Sequence, residues 1–304
     1  MTGTFSAVIP TKGRPAVLRD ALASVAAHGA HVLEAIVVDG TREPADEQEL
    51  AALLSGPNAP RLVYLHAPDD SGLPAARNRA IRVAQGDYVQ FMDDDTTVTE
   101  GYFEAMREAF AASDVGGVAP NIIDPYASER RIRALLLRLF YIGPFRLRKD
   151  ELFLDPPAGL TESNSLPGAS AWRRTVFREL QFDESLKGPA IGEDLEFSTR
   201  AGRKWRLLMQ PAARMIHHRS PDERPPSRRV FADKVAFFHY HFRKNMAGSV
   251  GDWLAFLWLN FGFAADAAVR LQSQPVLGVI DGWKRIVKSG VMRRPQHRDV
   301  LLPQ

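Results

Sequence analysis

The strongest constraint on the fold is a rhythm running through residues 5–119. Short β-prone apolar runs at 5–9, 33–38, 61–65, 88–92 and 115–119 alternate with segments of helical spacing at 15–27, 47–54, 73–84 and 101–112. The first helical segment begins on Pro15, which suits a first turn, and carries Leu18, Leu22 and Val25 along one face. Alternation of this kind predicts an α/β fold, a doubly wound and mostly parallel sheet. Ligands of such sheets bind beyond the carboxyl ends of the strands. Polar clusters fall at those ends: Pro10-Thr11-Lys12 after the first run, Asp39-Gly40 after the second and Asp93-Asp94-Asp95 after the fourth.

The rhythm breaks at residues 129–149. Ile132, Leu135, Leu136, Leu139 and Phe140 recur at helical spacing with Arg131, Arg133 and Arg138 between them, and Gly143-Pro144 ends the run. A loop-rich stretch follows at 155–170, and residues 228–289 look helical, with an aromatic segment at 253–263. The expected organisation is an α/β domain over 1–220, in two halves of about 1–125 and about 126–220, with a C-terminal helical extension over 221–304.

Charge divides the same way. The net +3 of the 304 residues is the sum of −9 over residues 1–130 and +12 over 131–304. The basic half suits an anionic membrane, a phosphorylated acceptor or nucleic acid, although its basic residues form no recognised nucleic-acid module and none is expected as partner. Arginines beside leucines at 129–149 and tryptophans at 253–263 suit a peripheral membrane contact; Asp252, Asn260 and Asp266 make the latter a poor spanning segment. Packing of both segments on the first domain, or a dimer contact, explains them equally well. The first residues carry neither the basic region nor the long apolar run of a signal peptide, so the site is expected in the cytoplasm, either free or peripheral on the inner membrane face. There is no cysteine, which excludes disulfides, thiolate metal sites and cysteine nucleophiles. A metal must therefore sit on Asp, Glu or His, favouring Mg or Mn.

The chemistry concentrates at residues 86–95, an apolar strand feeding into three carboxylates. Like charges there repel one another unless a cation neutralises them, and a diphosphate would complete the shell of a divalent ion. Asp39 offers two acceptors to the N–H edge of a uracil or guanine, with Gly40 permitting close approach. Arg77 starts a helix beside the same edge, where a cation and free N–H groups suit a pyrophosphate. The adjacent Glu193 and Asp194, at a further helix start, are stabilised by the helix dipole, and one of them can serve as general base.

These segments together resemble glycosyltransferase family 2 over roughly residues 4–218. The opening Val8-Ile9-Pro10-Thr11-Lys12-Gly13-Arg14 is similar to its first strand and loop, Val37-Val38-Asp39-Gly40 to its second strand, and Gly72-Leu73-Pro74-Ala75-Ala76-Arg77-Asn78-Arg79 to its Ala-Arg-Asn segment. Asp93 and Asp95 fall on the two aspartates of its metal motif. The resemblance implies a GT-A fold and inverting transfer from a nucleotide-diphosphate sugar to a saccharide or lipid-linked acceptor. It places Pro10, Thr11, Arg14, Asp39, Arg77, Asp93 and Asp94 on the donor nucleotide, with Asp93 near the ribose. Asp95 would ligate the metal. Phe182-Asp183-Glu184 and Gly192-Glu193-Asp194 look like its acceptor-side segment, making Asp194 the base and Glu193 its orienting neighbour. Pro167-Gly168-Ala169-Ser170 looks like the loop close to the donor sugar, assigning Gly168, Ala169 and the nearby Trp172 to the sugar or acceptor. Residues 211–217 have the spacing of a strand ending in a metal-binding histidine, His217, with His218 an immediate competitor.

Other readings remain. Asp93-Asp94-Asp95-Thr96-Thr97 also fits the Asp-x-Asp-x-Thr pattern of haloacid-dehalogenase-type phosphatases, where the first aspartate is a nucleophile, although that signature normally follows the first strand of its domain. A non-catalytic sugar-nucleotide-binding protein is the rival from another class. A dinucleotide oxidoreductase would need Gly-x-Gly-x-x-Gly after the first strand, which is absent, and the opening is a poor match to sugar nucleotidyltransferases.

Overall fold

A computed structural model of the chain describes residues 3–28, 31–56, 59–70, 72–123, 139–140, 157–187, 191–218, 227–246, 249–269 and 273–288. The chain divides into two compact units, one of residues 1–127, 156–220 and 299–304, the other of 128–155 and 221–298.

The first unit is the α/β part. Its strands are β1 (Phe5–Thr11), β2 (Val32–Asp39), β3 (Arg61–His66), β4 (Tyr88–Phe91), β5 (Thr96–Val98), β6 (Val115–Ile123), β7 (Thr161–Glu162), β8 (Ala171–Arg173) and β9 (Arg206–His217). Its helices are α1 (Pro15–Ala27), α2 (Glu47–Leu53), α3 (Leu73–Val83), α4 (Tyr102–Ala109) and α5 (Glu193–Ala201). They form one nine-stranded sheet in the order β3-β2-β1-β4-β8-β6-β9-β5, with β7 beside β9. The long registers, β1 with β2 and β4, β2 with β3, and β6 with β9, are parallel; those of β4 with β8, β8 with β6, β5 with β9 and β7 with β9 are short and antiparallel. This is the doubly wound α/β architecture that the alternation predicts. Buried Phe5, Leu22, Val25, Val37, Tyr102 and Phe103 fill the core of this unit.

Register explains why distant segments meet. Thr11 pairs with Asp39 at the carboxyl ends of β1 and β2. Antiparallel β8 runs back along β4, Ala171 opposite Gln90, so the segment before β8 returns to the carboxyl end of β4, where the Phe91 N–H donates to the Ser170 carbonyl (3.0 Å). At the far side β9 runs antiparallel to β5 with His217 opposite Thr96, which brings the end of β9 beside Asp95.

The second unit is helical: α6 (Ser227–His241), a π-helical turn (Phe242–Met246), α7 (Val250–Val269) and α8 (Ser273–Lys288). Gly282 lets α6 and α8 close up, since a Cβ there would stand 2.6 Å from that of Val235. Ion pairs Arg228–Asp281 and Arg285–Asp233, both 2.6 Å, tie the same two helices. Phe140 packs on Trp258 (ring centroids 4.9 Å) and the Trp258 indole donates to the Leu139 carbonyl (2.9 Å), contacts that place these two residues in the helical unit rather than the α/β domain. The rest of the expected helix at 129–149 lies outside the described residues.

Candidate active site

Oxygens of Asp93 and Asp95 and an imidazole nitrogen of His217 lie within 4.8 Å of one another. Asp95 follows the end of β4 and its carbonyl accepts from the His218 N–H (2.9 Å), which fixes the β9 terminus against it. His217 Nε2 stands 3.2 Å from Asp95 Oδ1. The neighbouring His218 ring instead pairs with the Thr97 hydroxyl at 2.8 Å and is outside the cluster. Two carboxylates and an imidazole are a donor set suited to Mn or Mg, with negative charge in excess of the histidine. Asp93, assigned to the ribose by resemblance, is thus grouped by the structure with the two expected ligands.

Asp94 points the other way, into the protein. Its carboxylate accepts from Thr11 Oγ1 (2.8 Å) and is paired with Arg14, which also reaches Asp95 Oδ2 at 3.4 Å. Burial pushes its carboxyl up to about 6; Thr11 and Arg14 oppose the rise, and the charges of Asp95 and Asp93 add to it. Thr11, Arg14 and Asp94 therefore form one braced set that Arg14 links to the cluster through Asp95. Pro10 is half-buried just before them.

Asp39 is buried, and its acceptors serve the chain itself. Oδ1 accepts from the Thr41 N–H (2.8 Å), and Oδ2 from the Tyr64 hydroxyl (2.6 Å) and the Ala45 N–H (3.2 Å). Burial raises this carboxyl, but the hydrogen bonds from Thr41, Tyr64 and Ala45 outweigh it and hold it below its ordinary value. The same bond pushes the Tyr64 hydroxyl up to about 12, second to its own burial. Asp39 is the anchor of the loop after β2.

Arg77 lies in the first turns of α3 as expected, and its side chain is only 2 % exposed. Nη1 donates to Glu193 Oε1 (2.9 Å), Nη2 to the Gly168 carbonyl (3.3 Å), and the guanidinium lies over the rings of Phe91 (5.3 Å) and Phe182 (5.2 Å). A guanidinium held between two rings, a carboxylate and a carbonyl is a clasp. Gly168 is part of it: a Cβ there would stand 2.8 Å from Arg77 Nη2. Trp172, assigned to the sugar or acceptor by resemblance, is 3 % exposed and meets the Phe197 ring edge to face at 4.8 Å. Ala169 is likewise buried in the core.

Gly192, with φ +84°, turns the chain into α5 and sets Glu193 and Asp194 in its first turn. Glu193 is buried, which raises its carboxyl; Arg77 offsets part of the rise, and Asp194 and Asp93 add to it. Arg77, bonded to Glu193 and lying over the ring of Phe91 at the end of β4, links the start of α5 to the strand end that leads into Asp93. Asp194 is half-buried, its Oδ1 accepting from the Leu195 N–H at 2.8 Å.

A profile described as "Glycosyl transferase family 2" matches residues 6–180, more than half of the chain. The chain belongs to this family. The chain is 28 % identical over 233 residues to "O-antigen biosynthesis protein RfbC" of Myxococcus xanthus, covering 73 % of this chain and 18 % of that protein. It is 25 % identical over 312 residues to the "Pre-mycofactocin glycosyltransferase" of Mycobacterium tuberculosis, 97 % of this chain and 59 % of the relative. The chain thus spans under three-fifths of the length of either relative. Among solved structures, Staphylococcus aureus TarS 1–349 in complex with UDP-GlcNAc superimposes with a TM-score of 0.60 at 12 % identity over 94 % of this chain and 81 % of that one. Mannosyltransferase PcManGT from Pyrobaculum calidifontis, in complex with GDP-Man and Mn2+, gives 0.59 at 14 % over 95 % and 88 %. These likenesses establish the GT-A fold. In this family-2 chain the Asp-x-Asp-x-Thr match is a coincidence of spacing, since Asp93 follows the fourth strand of the sheet.

The clasp was missed in the sequence. Arg77 and Glu193 are 116 residues apart, and no local pattern marks one as the partner of the other. The available signal was the small residue at Gly168 between them in the chain.

Proposed function

We propose that the chain is an inverting glycosyltransferase that moves a sugar from a nucleoside-diphosphate donor to an acceptor hydroxyl, acting on cell-envelope or extracellular polysaccharide at the inner membrane face. The observation that carries this reading is the grouping of Asp93, Asp95 and His217 at the end of β4, the strand whose Phe91 lies under the Arg77 that holds Glu193 beside Asp194. Asp93, Asp95 and His217 would hold a divalent ion, Mn or Mg, and such an ion supplies positive charge against a diphosphate leaving group. Asp194 takes the acceptor hydroxyl proton as that oxygen bonds to the anomeric carbon and the carbon–phosphate-oxygen bond breaks. Attack from the face opposite the departing nucleoside diphosphate inverts that carbon. Glu193 is a positioning residue, fixed by Arg77. The name of one relative, O-antigen biosynthesis protein, supports a saccharide acceptor. The UDP-GlcNAc and GDP-Man complexes of the structural neighbours support a nucleotide-sugar donor.

The test is a panel of UDP- and GDP-sugars with Mn present, scored for nucleoside diphosphate released and for the anomeric configuration of the product. One donor should react, with inversion. Asp194→Asn should lower the rate by about 10²–10⁴-fold and leave donor affinity unchanged by calorimetry. Retention at the anomeric carbon, or loss of donor binding in that variant, overturns the assignment.

A further inference from the structure

The helix α7 is apolar on both of its faces. Buried Phe256, Leu259 and Phe263 point into the helical unit, while Val250, Trp253, Leu254, Leu257 and Phe261 form an exposed stripe at spacings of three and four residues. Val250 is 77 % and Phe261 68 % exposed. The only charged side chains described on α7, Asp252 and Asp266, are half-buried near its ends, and none lies among Trp253, Leu254, Leu257 and Phe261, although the outward face is where a helix in water carries its charges. On α8 the exposed Val276, Leu277, Ile280 and Val287 are followed by Lys284, Arg285 and Lys288 in its last turns. Single exposed apolar residues are ordinary; an uncharged stripe of several turns marks an interaction surface.

Charge identifies the partner. The unit containing these helices has twenty Lys and Arg against ten Asp and Glu, a net +10, while the α/β unit has a net −7. Pairing two copies through this surface would bring two strongly cationic units together. An anionic bilayer supplies both an apolar layer for the stripe and negative headgroups for Lys284, Arg285 and Lys288 of α8. Trp253, with an apolar body and an indole N–H, is the side chain that settles at such a boundary. None of the described helices is long and apolar enough to cross a membrane, so the contact lies in the plane of the interface. We infer that the exposed face of α7, with the basic end of α8, docks the chain on an anionic lipid surface. This rests on the membrane location proposed above; its test reads lipid binding and the donor panel reads transfer, so a failure of docking and a failure of the transfer reaction are distinguishable.

The full chain is mixed with vesicles of phosphatidylcholine containing phosphatidylglycerol, and with phosphatidylcholine alone, and separated by flotation. It should float with the anionic vesicles, and less so as salt is raised. The double variant Leu257→Glu/Phe261→Glu alters only exposed positions and should lower lipid affinity by about tenfold or more for each side chain. Lys284→Gln/Lys288→Gln should lower it by about fivefold per lysine. Circular dichroism checks that each variant is folded as the parent is. Absence of flotation with anionic vesicles, or flotation unchanged by the glutamates, overturns the inference. So does a dimer seen by light scattering and lost in the Leu257→Glu/Phe261→Glu variant, which would assign the face to a second copy.

Discussion

In the α/β unit, charged side chains go inward in matched sets: Arg77 with Glu193, Arg200 with Glu196, and Arg14 and Thr11 around Asp94. In the helical unit, apolar side chains go outward along α7 while its ion pairs, Arg228–Asp281 and Arg285–Asp233, sit on the exposed sides of α6 and α8. Burying a charge costs several kcal/mol before its partner restores any of it. A fold keeps such pairs where position matters more than stability, and here one of their members, Arg14, reaches Asp95 of the cluster. Leaving a stripe of large apolar groups in water costs solubility. The first unit spends its irregularities on holding reactive groups still, the second on offering a surface.

The sharpest way to break this comparison is to remove one half of a buried pair. Arg77→Met leaves Glu193, 5 % exposed, without its counter-charge. The expected loss is about 3–5 kcal/mol of unfolding free energy, measured by urea denaturation. Adding Glu193→Gln should recover most of that loss, because the neutral amide no longer needs a cation. If the double variant is as unstable as Arg77→Met alone, the guanidinium works through its stacking on Phe91 and Phe182 and the clasp is not electrostatic. The opposite pair, Arg285 with Asp233, is solvent-exposed, and Arg285→Ala should cost no more than about 1 kcal/mol.

That asymmetry also explains what could be read in advance. The strands at 5–9, 33–38 and 61–65 and the helix at 15–27 were legible because periodicity is local: each segment states which face it buries. The three aspartates and the Glu193-Asp194 pair were legible as clusters of charge at the ends of apolar runs. Burial of an individual charge is not local. Nothing beside Asp39 in the chain shows that Tyr64 and the turn at 41–45 close on it, and nothing beside Arg77 shows that Glu193 arrives from α5. The short strands β5 and β8 carry too few residues to show a period, and they exist because β9 and β4 pair with them. His217 could not be separated from His218 until register put it opposite Thr96.

The next effect is expected from Asp94. Its carboxyl is raised from 3.8 to about 6 in the folded chain, first by burial. The folded state therefore holds this proton more tightly than the unfolded state does. Its contribution is fully present below the unfolded value near 4 and is lost as pH rises through about 6. The metal-free chain should lose about 2–3 kcal/mol of stability across that window from this group, read as a falling melting temperature. Asp94→Asn should flatten the slope, since the amide does not titrate. A slope that persists in Asp94→Asn would move its source to another buried acid, Glu193 being the one also raised by burial.

Gly168→Ala is the mildest change and the most selective. The added methyl would stand 2.8 Å from Arg77 Nη2 and 3.6 Å from Glu193 Oε1, so the end of the arginine must shift by several tenths of an ångström. Arg77 is confined by two rings and a carboxylate, which makes that shift more costly than it would be for a surface side chain; about 1 kcal/mol, the low end of overpacking costs, is expected. Because Glu193 precedes Asp194 at the start of α5, the displacement should also reach the reacting group, lowering kcat while leaving KM for the donor near its parent value. Gly262→Ala makes the matching intrusion on Phe140 in the helical unit, with no charged group in contact. If both alanines lower kcat alike, the rate responds to general loosening of the chain; if only Gly168→Ala does, the clasp positions the base.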